Sequence, residues 1–211
     1  AVWKIHRRIG MSGGLFVNAL VRETGGALSP AQARDLGLAH AEAFGKRRDT
    51  VRPLPGAGEL LATLTAEGVP WAIATSGLAV SARPALALLG LPENTPLVTR
   101  DQVRHAKPDP DLFLAAADLI DVAIVRAMVV GDSIWDLLAA RRAGALGVGL
   151  LSGGYGREEL ERAGAYRVYA DPAGLLDHLD EIGVRRGLPE WVFSRRRREG
   201  AVGRGRQNSL L

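Results

Sequence analysis

Three short polar stretches of this sequence hold residues able to bind an oxyanion or a hard cation. Thr75-Ser76-Gly77 offers hydroxyls and successive backbone N–H groups beside a glycine, and at a helix N-terminus such groups form an anion site. The competing reading is a plain helix cap by Thr75 or Ser76. Gly131-Asp132-Ser133-Ile134-Trp135-Asp136 carries two carboxylates four residues apart. Ser133 and Asp136 have capping-box spacing, so Asp136 can be engaged by backbone donors, whereas Asp132 lies outside the box and suits a hard cation held through oxygen. Between these stretches, His105-Ala106-Lys107-Pro108-Asp109-Pro110-Asp111 sets a lysine before a proline. Pro108 keeps Lys107 out of helix, and Asp109 is placed to cap a helix opened by Pro110. A solvated lysine is the bland alternative, and His105 reads as a surface residue. Ser152-Gly153-Gly154-Tyr155-Gly156 fits neither a dinucleotide fingerprint nor a P-loop and reads as a loop.

The elements that must position these groups follow from hydrophobic patterning. Val69 to Ala74 is apolar on both faces, as in a parallel sheet covered by helices, and Thr75 follows directly. Further strands are predicted at Ala127 to Val130, Leu146 to Leu151 and Tyr166 to Tyr169. Helices are predicted around Leu60, Leu61 and Leu64 and at Val80 to Leu89, Asp111 to Ile120, Ile134 to Ala143, Arg157 to Ala163 and Gly174 to Ile182. In open parallel sheets ligands bind outside the carboxyl ends of the strands, where these polar stretches fall. Residues 1–50 read as helices, with Leu15, Phe16, Ala19 and Leu20 at helical spacing and a second start at Ser29-Pro30. Arg52-Pro53-Leu54-Pro55-Gly56 marks a boundary, giving a helical unit 1–50, an α/β unit 51–183 and a tail 184–211.

Composition narrows the classes. The 211 residues are 24% charged and 47% apolar, which suits a globular chain with its own core. The absence of Cys excludes disulfides, thiolate zinc sites and a cysteine nucleophile. No apolar run reaches the roughly 18 residues of a membrane span, and WKIHRRIGMSGG lacks a signal peptide's apolar run, so a cytoplasmic location is the default. Of the net charge of +4, residues 185–211 hold eight Arg against Glu190 and Glu199, a net +6, which leaves −2 on the body. The tail around Arg195 to Arg198 has too little apolar content to bury and reads as a solvated extension; nucleic-acid association through it is kept as an alternative.

The order of the motifs carries a resemblance. Thr75, Lys107-Pro108 and Gly131-Asp132-Ser133 with Asp136 look like the second, third and fourth motifs of the haloacid dehalogenase (HAD) superfamily, in its phosphatase branch. The segment 1–50, with IHRRIGMSGG, is similar to the helical cap of phosphoglycolate-phosphatase-like and phosphoglucomutase-like members. The resemblance implies a Rossmann-like α/β core with a parallel sheet and an N-terminal all-helical cap. It also implies a Mg²⁺-dependent phosphatase acting on a small phosphorylated metabolite, with no membrane partner. Thr75, Ser76 and Gly77 would hydrogen-bond the phosphoryl group, Lys107 would neutralise its charge, Asp132 would hold Mg²⁺, and Asp136 would support Lys107 or the metal's waters. Arg8, with Arg7 and the Met11 to Gly14 turn, would meet the organic part of the substrate.

The family's nucleophile belongs to a D-x-D-G-T motif at the end of a first, central strand. No D-x-D precedes Thr75; the only one in the chain is Asp109 to Asp111. The expectation is a chain missing that strand, its aspartate nucleophile and its acid/base aspartate, hence inactive alone and marginal in fold. A fragment of a longer product is favoured over a natural phosphate- and Mg²⁺-binding pseudoenzyme.

Overall fold

The computed structural model describes residues 5–11, 13–23 and 25–184. The Arg-rich tail from residue 185 onward, and the proposal attached to it, lie outside the described residues. Two helices come first, α1 (Gly13–Glu23) and α2 (Pro30–Gly45). The start of α2 is the one the sequence encodes: Ser29 accepts from the Gln32 backbone, Gln32 returns the bond, and Pro30 fills the first turn. The Pro-rich stretch then leads through Gly56, which takes a left-handed φ of 73° and lies so close to Ala173 that a Cβ would sit 2.5 Å from its Cα.

From here helices and parallel strands alternate: α3 (Ala57–Ala66), β1 (Ile73–Ala74), α4 (Ala79–Ala87), β2 (Leu97–Val98), α5 (Asp111–Leu119), β3 (Met128–Gly131), α6 (Ile134–Ala143), β4 (Leu146–Leu150), α7 (Arg157–Ala163), β5 (Ala165–Tyr169) and α8 (Pro172–Asp177). Three expectations need correction. The first strand spans only Ile73–Ala74, because Pro70 has no N–H to give a ladder. The two-residue β2 went unforeseen, being too short for any periodicity. The last helix begins earlier, at Pro172 with Asp171 as its cap, and gives way to a 3₁₀ turn at Leu179–Ile182.

The strands do not form one sheet. β1 pairs only with β2, and β3–β4–β5 form a separate parallel sheet. The two are bridged by α5, whose Leu112 and Ala116 pack on Val98 while Phe113 packs on Val129 beside Ala74. Helices cover both faces of the larger sheet. Val148 and Leu150 of β4 face Leu60 of α3 and Leu175 of α8, while Gly147 and Gly149 face the other way, against Leu137 of α6 and Leu160 of α7. The sequence LGVGL thus puts its branched residues toward one layer and lets the opposite helices approach the backbone.

Candidate active site

The polar groups gather at the carboxyl ends of β1 and β3, and their local chemistry explains each position. Asp136, in the first turn of α6, takes the capping position that its spacing predicted and also meets Lys107, a contact that the family resemblance implied. Its Oδ2 accepts from Ser133 N (3.2 Å) and Ser133 Oγ (2.6 Å), completing the capping box, and its Oδ1 meets Lys107 Nζ at 2.5 Å. Lys107 and Asp136 are both buried, with side chains 8% and 9% exposed, so the solvated-lysine reading fails. The Lys107–Pro108 peptide bond is cis. Asp109 does not cap: α5 starts one residue later with Pro110 at its cap position, and Asp109 instead faces Arg142 at 3.7 Å. His105 is exposed, as expected, and pairs with Asp111 through its backbone N–H and Nδ1.

Asp132 lies at the tip of β3, partly buried and outside the capping box. Burial pushes its carboxyl up from the usual carboxylate range, and the Asp136 charge adds to this while Lys107 opposes it. Two glycines make this crowding possible. At Gly131 a Cβ would fall 2.3 Å from the Asp136 Cβ, and at Gly153 it would fall 2.1 Å from the Asp132 carbonyl oxygen. Gly131→Ala is therefore expected to push Asp136 off Lys107 at a cost of about 1–3 kcal/mol, read from urea unfolding. An unchanged midpoint would show that Asp136 can swing aside freely.

On β1, Thr75 and Ser76 do not cap a helix. The cap position of α4 is Leu78, and Asp101 accepts from the Ala79 N–H instead. Thr75 Oγ1 accepts from Gly77 N at 3.1 Å, which closes a local turn, and Ser76 Oγ donates to the Gly10 carbonyl at 3.5 Å. Gly10, with φ 89°, in turn lies against Ser133: a Cβ there would be 2.3 Å from Ser133 Oγ. Residues 5–11 are thus laid across the tips of β1 and β3.

That placement depends on residues the sequence reading left unassigned. The Tyr155 hydroxyl lies 3.2 Å from the Ile9 carbonyl and 3.3 Å from the His6 carbonyl, which share its one proton, and its ring stacks on His6. Trp135 Nε1 donates to the Arg7 carbonyl at 3.3 Å. Tyr155 is only 2% exposed, and burial pushes its phenol up, so it remains a donor. The glycine-rich segment read as a simple loop therefore serves the site, with Gly153 against Asp132 and Tyr155 under the N-terminal segment. One available signal was a lone tyrosine among glycines, where its ring is cheaply placed. Arg8 pairs closely with Glu23, and Arg7 with Glu159 at 3.4 Å. Of the Met11 to Gly14 turn, Ser12 lies outside the described residues.

Similarity to known proteins shows the family and the fold. Residues 6–144 match the family model described as hydrolase, haloacid dehalogenase-like hydrolase. The chain is 38% identical over 107 residues to hexitol phosphatase A of Escherichia coli, covering 51% of this chain and 49% of that protein. It is 35% identical over 144 residues to phosphoglycolate phosphatase of Rhodospirillum rubrum, covering 64% and 59%. The chain thus spans about half the length of these curated relatives. Among solved structures, a hydrolase from Pseudomonas syringae superposes with a TM-score of 0.84 at 55% identity, over 86% of this chain and 84% of that one. With the match reaching from the N-terminal segment through the Lys107 and Asp132 motifs, the chain belongs to the haloacid dehalogenase-like hydrolases and has their Rossmann-like α/β fold.

Proposed function

We propose that this chain is the phosphate-gripping part of a Mg²⁺-dependent phosphatase that acts on a small phosphomonoester, with 1–50 as cap and 51–183 as core. The observation that carries the reading is the buried Lys107–Asp136 pair beside the half-buried Asp132, at one rim of the strands. Burying an ammonium is costly even when it is paired with a carboxylate, and phosphoryl transfer is a chemistry that uses such a charge for neutralisation. Lys107 would meet the phosphoryl oxygens, held by Asp136 from behind. Thr75, Ser76 and the Gly77 N–H would donate to the same group by giving up the local bonds they now make.

The residues present suit Mg²⁺ in part. Asp136 is taken up by Lys107 and Ser133, which leaves Asp132 as the carboxylate for a cation. Ser152 Oγ, next to the Gly153 that abuts Asp132, is buried with no hydrogen-bond partner. Mg²⁺ commonly uses one or two carboxylates with water and substrate phosphate, so one aspartate here is compatible. When bound, the ion would neutralise charge on the phosphoryl oxygens.

The nucleophile is proposed to come from outside this sequence, since no Asp-x-Asp precedes Thr75, and the separation of β1 from β3 is where its strand would fit. On that basis this chain alone binds phosphate without turning over an ester. Binding of orthophosphate, followed calorimetrically, should tighten with Mg²⁺ by a factor on the order of 5- to 150-fold, as for two ligands coupled in one site. Asp132→Ala should erase that coupling. Orthophosphate binding that is absent, or coupled to Mg²⁺ as strongly without Asp132, would overturn the assignment.

A further inference from the structure

Beside the phosphate-handling groups a cavity of about 360 Å³ opens between α6 and the N-terminal segment, within the size range of small-molecule sites. Its walls include Trp135, Ile134 and Met11 on the apolar side and Arg7, Arg8 and Glu23 on the polar side. A larger hollow of about 440 Å³ adjoins Leu91 and Leu97 at the amino end of β2, away from the Lys107 and Asp132 chemistry. The smaller cavity adjoins that chemistry: Ile134 and Trp135 lie between Ser133 and Asp136 in the chain, and Met11 follows the Gly10 that touches Ser133.

The wall formed by residues 6–10 is fixed. The carbonyls of His6 and Ile9 share the Tyr155 hydroxyl proton, while those of Arg7 and Gly10 accept from Trp135 and Ser76. Its charges are already matched. Arg8, with its side chain only 11% exposed, pairs with Glu23, and Arg7 pairs with Glu159. A substrate carboxylate entering here would compete with Glu23 and Glu159 for the two guanidinium groups and would meet the Glu23 charge. A neutral hydroxyl-bearing group meets no such repulsion. It can donate to the Glu23 carboxylate, accept from the arginines and lay its C–H face on the Trp135 ring.

We propose that Glu23 makes this cavity select uncharged polyol phosphates over phosphocarboxylates; the inference rests on the phosphatase reading, in which Arg7, Arg8 and Met11 meet the organic part of the substrate. The test is titration of the full chain with Mg²⁺ and, separately, orthophosphate, glucitol 6-phosphate and 2-phosphoglycolate. Glucitol 6-phosphate should bind at least ~10-fold tighter than orthophosphate, and 2-phosphoglycolate no tighter than orthophosphate. Glu23→Gln should narrow or reverse the preference by releasing Arg8 to a carboxylate. Equal affinity for all three, or a preference of the wild-type chain for 2-phosphoglycolate, overturns the proposal while leaving the phosphatase reading intact. Failure of orthophosphate itself to bind would remove that reading and this one together. The wild-type comparison needs no variant, so a Glu23→Gln protein that fails to fold does not shield the idea.

Discussion

Joined at its N-terminus to an extended apolar segment ending in Asp-x-Asp, the chain is expected to hydrolyse an aryl phosphate with Mg²⁺ at least ~10⁴-fold faster than the chain alone, the scale lost when hydrolases lose their nucleophile. β1 and β3 are each paired on one side only by neighbouring strands, and α5 packs against both. A parallel strand between them would be hydrogen-bonded on both edges, and its carboxyl end would emerge between Thr75 and Asp132. There a carboxylate can attack phosphorus, and a second, two residues on, can protonate the leaving alcohol. Amide protection of β1 and β3 should rise with the rate, and Asn at the first aspartate of the added segment should return turnover to background. A joined protein that folds, protects both strands and still shows no turnover would sink the assignment.

The second large effect concerns stability. Lys107→Met is expected to cost about 3–5 kcal/mol in urea unfolding, the range for breaking a buried pair from one side, because the Asp136 carboxylate would remain buried with Ser133 alone. Against a total of roughly 5–15 kcal/mol for a domain, that is a large share. Lys107→Met combined with Asp136→Leu should recover part of the loss but not all, since Asp136 also caps α6, a contribution of ~1 kcal/mol. A single-variant cost near or below ~1 kcal/mol, the value of an exposed pair, would mean that water reaches the pair and that it carries no special role.

Much of the frame was legible from local signals. The Ser29-Pro30 start and the capping-box spacing at Ser133 marked two helix starts, and apolar runs after α5 and α6 announced β3 and β4. Asp136 shows the limit of such reading: its spacing gave a cap, whereas its contact with Lys107, 29 residues away, is non-local and was offered only by the family resemblance, beside a role toward the metal's waters. β2 and the split of the sheet were not legible, because two-residue strands leave no period and pairing is a non-local property. The contacts made by Tyr155, Trp135 and Ser76 escaped for another reason. Their acceptors are backbone carbonyls, which every residue has, so no side-chain pattern in residues 6–10 announces them.

That reliance on carbonyls frees the side chains of the same stretch. On the proposed reading, substitutions at positions 7, 8 and 11 would redraw what the chamber accepts without disturbing how its backbone is fastened, because that fastening depends on residue identity only at His6, which stacks on Tyr155, and at Gly10, where the approach to Ser133 admits no Cβ. Such a layout lets new substrates be acquired by a few changes in one short ribbon, while the machinery beneath stays as it is.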